Sequence, residues 1–260
     1  MSGSISLELS GAVARVTLSH PGKLNAMSRQ MWRDLRQVFE SIQQDRRLRC
    51  VLLSGEGGHF CAGGDISEYA GFRFTEDTLR DFHENDVWAG LQAMLDCDVP
   101  LVAQIEGNCI GAGIEIASCC DVRLAGESAR FGAPIARLGF PMAPREAALV
   151  LRALGELTAR EMLLAACVFD AAEMKRRGFL GSVAAGPALG ASVQACIDRI
   201  CSLAPGAARL NKQTLRALAL VPSAQAATNL IAKAYAYAPA PEHREGVMAF
   251  VEKRQPRFDL

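Results

Sequence analysis

One short stretch, residues 105–121, combines a carboxylate with three glycines at a spacing that would support acid–base chemistry. The glycines follow an apolar run with strand character and would let the backbone turn tightly beside a ligand. Apolar residues then recur at helical spacing, which predicts a short helix starting near Gly111. Ala112 and Glu115 would share one face of its first turns, so an unpaired backbone amide would lie beside a carboxylate that can move a proton.

A similar arrangement occurs earlier in the chain. Residues 50–54 have the composition of a buried strand, residues 55–65 form a glycine-rich loop, and a helix-like segment follows from Ile66. Glycines in such a loop let the backbone approach a ligand closely. Two strand–loop–helix units therefore suggest two amide donors that converge on one oxygen, which is the arrangement that an oxyanion hole requires.

The composition limits the kinds of function that the chain can have. Its 260 residues suffice for one large α/β domain, or for a domain with an appendage. Half of the residues are apolar, and 28 Lys and Arg residues balance 28 Asp and Glu residues. This balance gives no electrostatic reason to expect binding to nucleic acid or to an anionic membrane.

Cysteine usage and the absence of targeting signals indicate the compartment. The nine cysteines are odd in number, show no Cys-x-x-Cys spacing, and in several cases lie in apolar runs. We therefore expect reduced thiols in the core rather than disulfides or zinc ligands, and no metal site. The N-terminus has neither a basic region nor a long apolar stretch, and no run reaches transmembrane length. The expected location is cytoplasmic.

Hydrophobic periodicity predicts the elements that hold the two loops. Residues 5–9 and 13–18 alternate with period two around a Ser-Gly pair, which predicts a β-hairpin. Ser28 is placed to cap an amphipathic helix of about 15 residues, and a longer helical region spans residues 76–96. The remaining predicted elements are strands at 122–125 and 182–185 and helices at 145–154, 158–165, 171–177, 187–203, 206–219, 223–237 and 242–252.

Strands and helices alternate over the first two-thirds of the sequence, and the last third is rich in helices. No segment is of low complexity, and no linker is evident. This order predicts an α/β fold with a single core domain and a helical C-terminal appendage.

Six segments of the sequence form a recognisable pattern. They are Lys23-Leu-Asn-Ala-Met27, Phe60-Cys-Ala-Gly-Gly-Asp-Ile66, the block 111–121, Phe131-Gly-Ala-Pro134, Asn211-Lys212 and the segment 244–254. In this order and spacing they resemble the crotonase (enoyl-CoA hydratase/isomerase) superfamily. No single motif is decisive, but the six are spread over nearly the whole chain.

The resemblance implies a fold, an assembly and a ligand. The fold would be a crotonase-like ββα spiral core at residues 1–200. C-terminal helices at residues 201–260 would build trimers, often stacked as hexamers, and would complete the coenzyme A site. The ligand would be an acyl-CoA thioester, in which coenzyme A is part of the substrate rather than a cofactor. Lyase or isomerase activity in fatty acid metabolism is implied as well.

The resemblance also assigns roles to individual residues. The oxyanion amides would be those of Gly64 and Ala112, and Glu115 matches the first of the two catalytic glutamates of the hydratases. Loss of one oxyanion donor typically costs about 3 kcal/mol in the transition state. The coenzyme A contacts would come from Lys23, Leu24, Ala62, Asp65 and Ile66, with Phe250 and Lys253 reaching the adenine and 3′-phosphate bound by an adjacent subunit.

The sequence departs from the family pattern at Ile135. The second catalytic glutamate normally follows the Phe-Gly-x-Pro signature directly, and isoleucine cannot transfer a proton. Glu115 must then act as both acid and base, or recruit a partner from elsewhere. The candidate partners in nearby loops and in the segment 67–86 are Arg137, Arg145, Glu146, His83, Glu84 and Asp86.

This departure leaves the reaction open at the level of sequence. Hydration of a 2-enoyl-CoA is the main expectation, and double-bond isomerisation or acyl-CoA hydrolysis are the alternatives. A member that binds acyl-CoA without turnover is a further alternative because of Ile135. A dinucleotide-binding fold is disfavoured, since the segment 111–116 lacks the third glycine of that fingerprint and no Gly-Lys-Ser/Thr follows either loop.

Several of these residues also have purely structural interpretations. The glycines would then serve tight turns alone, and Glu115 would be a buried carboxylate satisfied by a neighbour. Asp65 is expected to cap the helix that follows it, and Asp121 to have a structural role. His20 and His59 lie beside turns and are expected to be solvated or hydrogen-bonded to the backbone.

Overall fold

The strands of the described chain form two β-sheets, one of six strands and one of three. A computed structural model describes residues 2–219, 238–239 and 241–255, and the predicted helix at 223–237 lies outside these residues. The strands in chain order are β1 (Ser4–Ser10), β2 (Val13–Ser19), β3 (Cys50–Gly55), β4 (Leu101–Ile105), β5 (Asn108–Ile110), β6 (Val122–Gly126), β7 (Arg130–Gly132), β8 (Val168–Asp170) and β9 (Ser182–Ala184).

Helices follow most of the strands and cover the sheets. Those described are α1 (Arg29–Gln44), α2 (Glu76–Asp81), α3 (Trp88–Asp96), α4 (Ala112–Ser118), α5 (Pro144–Leu154), α6 (Glu156–Leu164), α7 (Ala171–Arg176), α8 (Gly186–Ser202), α9 (Pro205–Ala219) and α10 (Pro241–Val251). A π-helical segment, Phe82–Val87, joins α2 to α3. Short 3₁₀ segments occupy Ile66–Gly71 and Ile135–Leu138. The predicted α/β class is confirmed.

The larger sheet has the strand order β1-β2-β3-β4-β6-β9. Only the pair β1 and β2 is antiparallel in it, as expected for a hairpin, and the other neighbours run parallel. The smaller sheet has the order β5-β7-β8. Because β3 and β4 are parallel neighbours, the segments that follow them leave the sheet at the same end.

The core lies on both faces of the larger sheet, as the apolar strand sequences require. In β3, Val51 and Leu53 belong to the main hydrophobic cluster, which includes α1 and α3 side chains. Cys50 and Leu52 point to the other face and pack in a second cluster with α8. Alternate residues of one strand thus contact helices on opposite sides, which fixes the register of β3 and the position of the loop after it.

The structure confirms the elements with the clearest periodicity. The hairpin forms as predicted, and the Ser28 side chain caps α1 by accepting from the Met31 amide at 3.2 Å. The predicted helix at 76–96 is helical throughout, but its middle is the π-helical segment. The smaller sheet was not predicted, because three-residue strands are too short to show period-two alternation.

Candidate active site

The two glycine loops lie side by side at one end of the larger sheet. We call residues 55–65 the first glycine loop and residues 106–113 the second. The Cys61 amide donates to the Asn108 carbonyl oxygen at 2.8 Å, and the Ile110 amide donates to the Cys61 carbonyl oxygen at 2.9 Å. These bonds extend the parallel pairing of β3 and β4 into the loops, so the structure brings the two predicted loops together.

Two glycines of the second loop permit this close approach. Gly111 has a φ of +52°, a conformation that residues with a side chain rarely adopt, and directly precedes α4. At Gly113, in the first turn of α4, a Cβ atom would lie 2.6 Å from the Cys61 carbonyl oxygen. Glycine at these positions therefore lets α4 begin directly against the first loop.

Beside the contact between the two loops, each loop contains a backbone amide that has no acceptor within the described part of the chain. In the first loop, the backbone groups on either side of the Gly64 amide are already hydrogen-bonded. The Met27 amide donates to the Gly63 carbonyl oxygen and the Asp65 amide donates to the Met27 carbonyl oxygen, both at 2.8 Å. Among the described residues, the amides of Gly64 and Ala112 have no hydrogen-bond acceptor. Ala112 is the first residue of α4, where amides lack intrahelical acceptors and the helix dipole favours negative charge.

Glu115 lies one turn along the same helix as Ala112. Its side chain is partly buried, and its surroundings raise the pKa of the carboxyl well above the ordinary value of 4.5. Burial is the main cause, the nearby Glu146 carboxylate adds to it, and the Arg73 guanidinium opposes both. A carboxyl with a raised pKa is suited to general acid–base catalysis near neutral pH.

Most of the side chains that could assist Glu115 in proton transfer are already engaged in ion pairs or in hydrogen bonds to the backbone. Ile135 packs against the main hydrophobic cluster, as its apolar side chain requires. The occupied candidates are Asp86 in ion pairs with Arg29 and Arg33, Arg145 with Glu84 at 3.3 Å, and Arg137 with the Ala166 carbonyl oxygen at 3.0 Å. Glu146 and His83 are different, because they form a buried pair.

Glu146 lies in the first turn of α5, which packs against α4. Its Oε1 lies 3.0 Å from His83 Nδ1, and the two residues retain only 2% and 8% of their accessible surface. Burial raises the pKa of Glu146 above its ordinary value, and the Glu84 charge adds to this rise. Burial also lowers the pKa of His83 well below 6.5, with a further contribution from Arg73. Both groups are therefore stabilised in their neutral forms.

A buried guanidinium and aromatic rings surround this region. Arg73 is 1% exposed and stacks on the rings of Tyr69 and Phe140, with its Cζ 4.4 and 4.1 Å from their centroids. Its Nε donates to His243 Nε2, from α10, at 3.3 Å. Burial and Arg73 together lower the pKa of His243 to about 4. No periodicity or motif in the sequence pointed to Arg73 or Tyr69.

The residues predicted to hold coenzyme A form one edge of the first loop. Lys23 donates to Asp65 Oδ2 at 2.6 Å and to Ser67 Oγ at 2.8 Å. The Ala62 amide donates to the Leu24 carbonyl oxygen at 3.0 Å. Ile66 begins the 3₁₀ segment that follows, and the Asp65 side chain caps this segment as predicted. Lys23, Leu24, Ala62, Asp65 and Ile66 are thus neighbours in space.

Asn25, in the segment Lys23-Leu-Asn-Ala-Met27, connects the coenzyme A edge to the first glycine loop. It is buried and has a φ of 60°, a left-handed conformation that asparagine tolerates better than most residues. Its side chain accepts from the His20 amide at 3.0 Å and donates to the carbonyl oxygens of Glu56 at 2.8 Å and His59 at 2.7 Å. Asn25 therefore fixes the Lys23–Leu24 turn to the first glycine loop.

Phe250 and Lys253 lie apart from this buried cluster. Phe250, on α10, retains 55% of its surface, and Lys253 is exposed just beyond the end of that helix. α10 itself packs closely on the segment around Ile135–Leu138, where a Cβ at Gly246 would lie 2.8 Å from the Gly139 nitrogen. The two residues therefore face outward from the chain that carries them.

The other structural interpretations agree with the contacts observed. Asp121 accepts from the Leu101 amide at 2.7 Å and pairs with Lys212 at 2.8 Å. His20 is hydrogen-bonded to the Ala26 carbonyl oxygen, and His59 accepts from the Asn108 amide. All nine cysteines are free thiols.

Two other features are absent from the part of the chain that the structure describes. Within residues 2–219, 238–239 and 241–255, no cluster of three or more His, Cys, Asp or Glu side chains is arranged to hold a metal ion. In the same described ranges, no helix has the length and apolar character needed to cross a membrane.

Comparison with known proteins identifies similar chains over nearly the full length. The sequence pattern of the family described as "Enoyl-CoA hydratase/isomerase" matches residues 8–260. A "probable enoyl-CoA hydratase" of Rhizobium meliloti is 29% identical over 255 residues, which are 97% of this chain and 96% of that protein. "Enoyl-CoA hydratase EchA19" of Mycobacterium tuberculosis is 32% identical over 260 residues, covering 97% and 95% of the two chains.

Solved structures give the same result. The crystal structure of an "enoyl-CoA hydratase/carnithine racemase" from Magnetospirillum magneticum superposes with a TM-score of 0.81 at 34% identity. The match covers 98% of this chain and 94% of that one. The mixed α/β arrangement with two sheets and C-terminal helices therefore matches structures of the crotonase fold, as the sequence predicted.

Proposed function

The chain belongs to the enoyl-CoA hydratase/isomerase family, and we propose that it is an enzyme that hydrates a 2-enoyl-CoA. In this reaction, water adds across the Cα=Cβ bond: its hydroxyl bonds to Cβ, the π electrons move to Cα, and Cα takes up a proton. Negative charge passes through the thioester oxygen as an enolate. The protein must therefore stabilise that oxygen and move a proton.

The observation that carries this proposal is the pair of amides without acceptors, Gly64 and Ala112, on loops that are hydrogen-bonded to each other. Two donors that meet one oxygen bind it more strongly as it becomes negative, so they lower the barrier rather than only the binding energy. The first turn of α4 adds its dipole at the Ala112 amide. The amides are thus suited to the thioester oxygen.

Proton transfer is proposed for Glu115. It lies one helical turn from Ala112, so a thioester held at the amides would have its Cα and Cβ next to this carboxyl. Its raised pKa keeps both the acid and the carboxylate forms accessible near neutral pH. Glu115 as carboxylate would accept a proton from the attacking water, and as acid would supply one to Cα.

The turn at Lys23 and the first loop provide the proposed binding edge for coenzyme A. The Lys23 side chain is 41% exposed and forms an ion pair with the buried Asp65 carboxylate. This ion pair holds the Lys23 ammonium group at the surface of the loop. Burial raises the pKa of Asp65, but hydrogen bonds from Lys23 and Ser67 outweigh it and lower the pKa overall. A charged lysine and the apolar Leu24 would suit phosphate groups and pantetheine respectively.

We also propose that the chain works as a trimer or as a hexamer made of two trimers. The outward-facing Phe250 and Lys253 fit a role in a neighbouring subunit, where they would contact the adenine and the 3′-phosphate. Residues 201–260 would then form the oligomerising region and residues 1–200 the catalytic core.

The experiment compares crotonyl-CoA hydration by the wild type and by Glu115→Gln. We expect the variant to lose a hundredfold or more in kcat, which is the contribution typical of a general acid–base residue, about 10²–10⁴-fold. Glu156→Gln, on the exposed surface of α6, is the matched control and should retain wild-type activity. An unchanged rate in Glu115→Gln would remove this carboxyl from the mechanism.

The same assay separates the alternatives. If crotonyl-CoA is not hydrated, a panel of 3-enoyl-CoA and saturated acyl-CoA esters would reveal isomerisation or hydrolysis, for which one carboxyl is sufficient. Binding of acyl-CoA without conversion of any ester would identify a non-catalytic member of the family.

A further inference from the structure

The family pattern places a second carboxyl at position 135, and this chain has isoleucine there. We propose that the second carboxyl is Glu146, held by His83, and that it shares a proton with Glu115. The inference rests on the proposed function, since it concerns how Glu115 is kept ready for proton transfer. Glu146 is argued to act through Glu115 and is therefore a positioning residue.

The first support is the packing of α4 against α5. Glu115 and Glu146 each lie in the first turns of these helices; Glu146 is buried and Glu115 is partly buried. Two carboxylates in one buried region repel each other, so loss of the proton from one makes loss from the other harder. The charge of Glu146 is indeed among the causes that raise the pKa of Glu115.

The second support is the contact between Glu146 and His83. Both are nearly inaccessible and lie 3.0 Å apart. With a neutral imidazole, Nδ1 can accept a hydrogen bond from a protonated Glu146, or donate one to the carboxylate after a change of tautomer. His83 can therefore hold Glu146 in either protonation state, which a purely structural ion pair would not require.

The third support is the backbone that carries His83. The residue lies on the π-helical segment Phe82–Val87, which interrupts an otherwise α-helical region. Such segments are rare and occur frequently at functional sites. Here the wider turn lets His83 reach Glu146 in the interior, while Asp86 of the same segment pairs with Arg29 and Arg33.

Neighbouring charged groups also influence the pKa values of Glu115, Glu146 and His83. Arg73 disfavours protonation of all three residues, because its positive charge stabilises both carboxylates and opposes a charged His83. Glu84, beside His83, opposes ionisation of Glu146, and Arg145 on α5 favours it. These last two pair with each other at 3.3 Å, so their effects largely offset. His243, on α10, has a lowered pKa and stays neutral near pH 7.

The consequence for the reaction concerns the state of Glu115. Around neutral pH the two carboxyls would carry one negative charge between them, so Glu115 can be ionised while Glu146 keeps its proton. Glu115 then takes a proton from the attacking water as the hydroxyl bonds to Cβ, and gives a proton to Cα. In the molecules that react, the shared proton lies on Glu146 and keeps a second negative charge out of the site; in the others it lies on Glu115, which raises the apparent pKa of that carboxyl.

The first test needs no substrate. In protein with ¹³C-labelled glutamate carboxyls, the titrations of Glu115 and Glu146 are followed by NMR in the wild type, Glu146→Gln and Glu115→Gln. We expect the apparent pKa of each remaining carboxyl to fall by about one unit or more when the other is replaced. Glu156→Gln, on the surface, should change neither titration. A Glu115 titration that is the same in Glu146→Gln and the wild type would overturn the proposal.

The second test uses the pH profile of crotonyl-CoA hydration. In Glu146→Gln, which keeps a hydrogen bond to His83, the acidic limb of kcat should move to lower pH as the Glu115 pKa falls. His83→Asn should move the limb less, since asparagine still holds Glu146. An acidic limb at the wild-type position would overturn the role of Glu146 even if the rate were reduced. If no hydration occurs at all, the proposed function fails and the NMR titration still decides on the shared proton.

Discussion

Replacement of Gly64 by alanine should separate the role of its amide from that of a simple loop glycine. A Cβ at this position would overlap the Tyr69 hydroxyl oxygen and lie 3.0 Å from Tyr69 Cζ. Carbon atoms pack at about 3.5–4.0 Å, so the ring or the loop must shift by at least about 0.5 Å. Tyr69 is buried among Phe72, Phe82 and Phe140 and is stacked by a guanidinium, so it has little freedom to yield.

The shift therefore falls mainly on the loop and displaces the Gly64 amide. Overpacking of this kind costs about 1–3 kcal/mol of stability, and a misplacement near 1 Å in an active site can cost about 10²-fold in rate. We expect Gly64→Ala to reduce kcat/KM for crotonyl-CoA by about a hundredfold, consistent with loss of one oxyanion donor. The effect should be mainly on kcat, because the donor is used chiefly in the transition state.

Two variants control this experiment. Gly71 ends the 3₁₀ segment Ile66–Gly71, which also carries Tyr69. A Cβ at Gly71 would meet no atom within 4 Å, so Gly71→Ala should leave the kinetics unchanged. In the double variant Gly64→Ala with Tyr69→Phe, removal of the hydroxyl should recover part of the loss. Equal kinetics for Gly64→Ala and Gly71→Ala would refute the assignment of the Gly64 amide to the reacting oxygen.

The remaining predictions concern stability and coenzyme A binding. In the folded protein the buried Glu146 and the partly buried Glu115 keep protons that the unfolded chain releases above about pH 4.3. The free energy of unfolding should therefore fall as pH rises from there through the raised folded-state pKa values. Denaturation at about pH 5 and about pH 9 should show a smaller fall in Glu146→Gln, by up to about 1.4 kcal/mol per pH unit; a fall equal to that of the wild type would contradict the raised pKa. Asn25→Ala removes the hydrogen-bond partner of three backbone groups, those of His20, Glu56 and His59. It should destabilise the fold by about 2–3 kcal/mol, measured by urea unfolding; a loss under about 0.5 kcal/mol would show that the turn holds without it. Lys23→Ala should raise KM for crotonyl-CoA with little change in kcat and cost at most about 1 kcal/mol of stability, since its ion pair is half-exposed; an unchanged KM would exclude Lys23 from the binding edge.

The predictable part of the site was the part encoded locally. The glycine loops and the position of Glu115 follow from strand, glycine and helix signals within a few residues of each other, and the Ser28 cap follows from one residue type before a periodic run. The position of both loops at one end of the sheet follows from the parallel pairing of β3 and β4, which the alternation of strands and helices already favours.

The unpredicted part depends on contacts between distant residues. His83 and Glu146 are 63 positions apart and meet only because the π-helical segment directs one toward the start of the helix that carries the other. The sequence offered both as candidates but could not choose them over Arg137 or Asp86, since the backbone contact of Arg137 and the ion pairs of Asp86 are properties of the packed structure. The three-residue strands of the smaller sheet were missed for a simpler reason, because they are too short to show a period.

The central claim is that the amides of Gly64 and Ala112 meet at one thioester oxygen. Infrared difference spectroscopy of bound butyryl-CoA, labelled with ¹³C at the carbonyl, tests this directly, because hydrogen bonds to a carbonyl lower its stretching frequency. We predict a shift to lower frequency on binding to the wild type, retained in Glu115→Gln and reduced in Gly64→Ala. A carbonyl frequency equal to that of the free ester in water or higher, measured with the protein saturated, would contradict the claim.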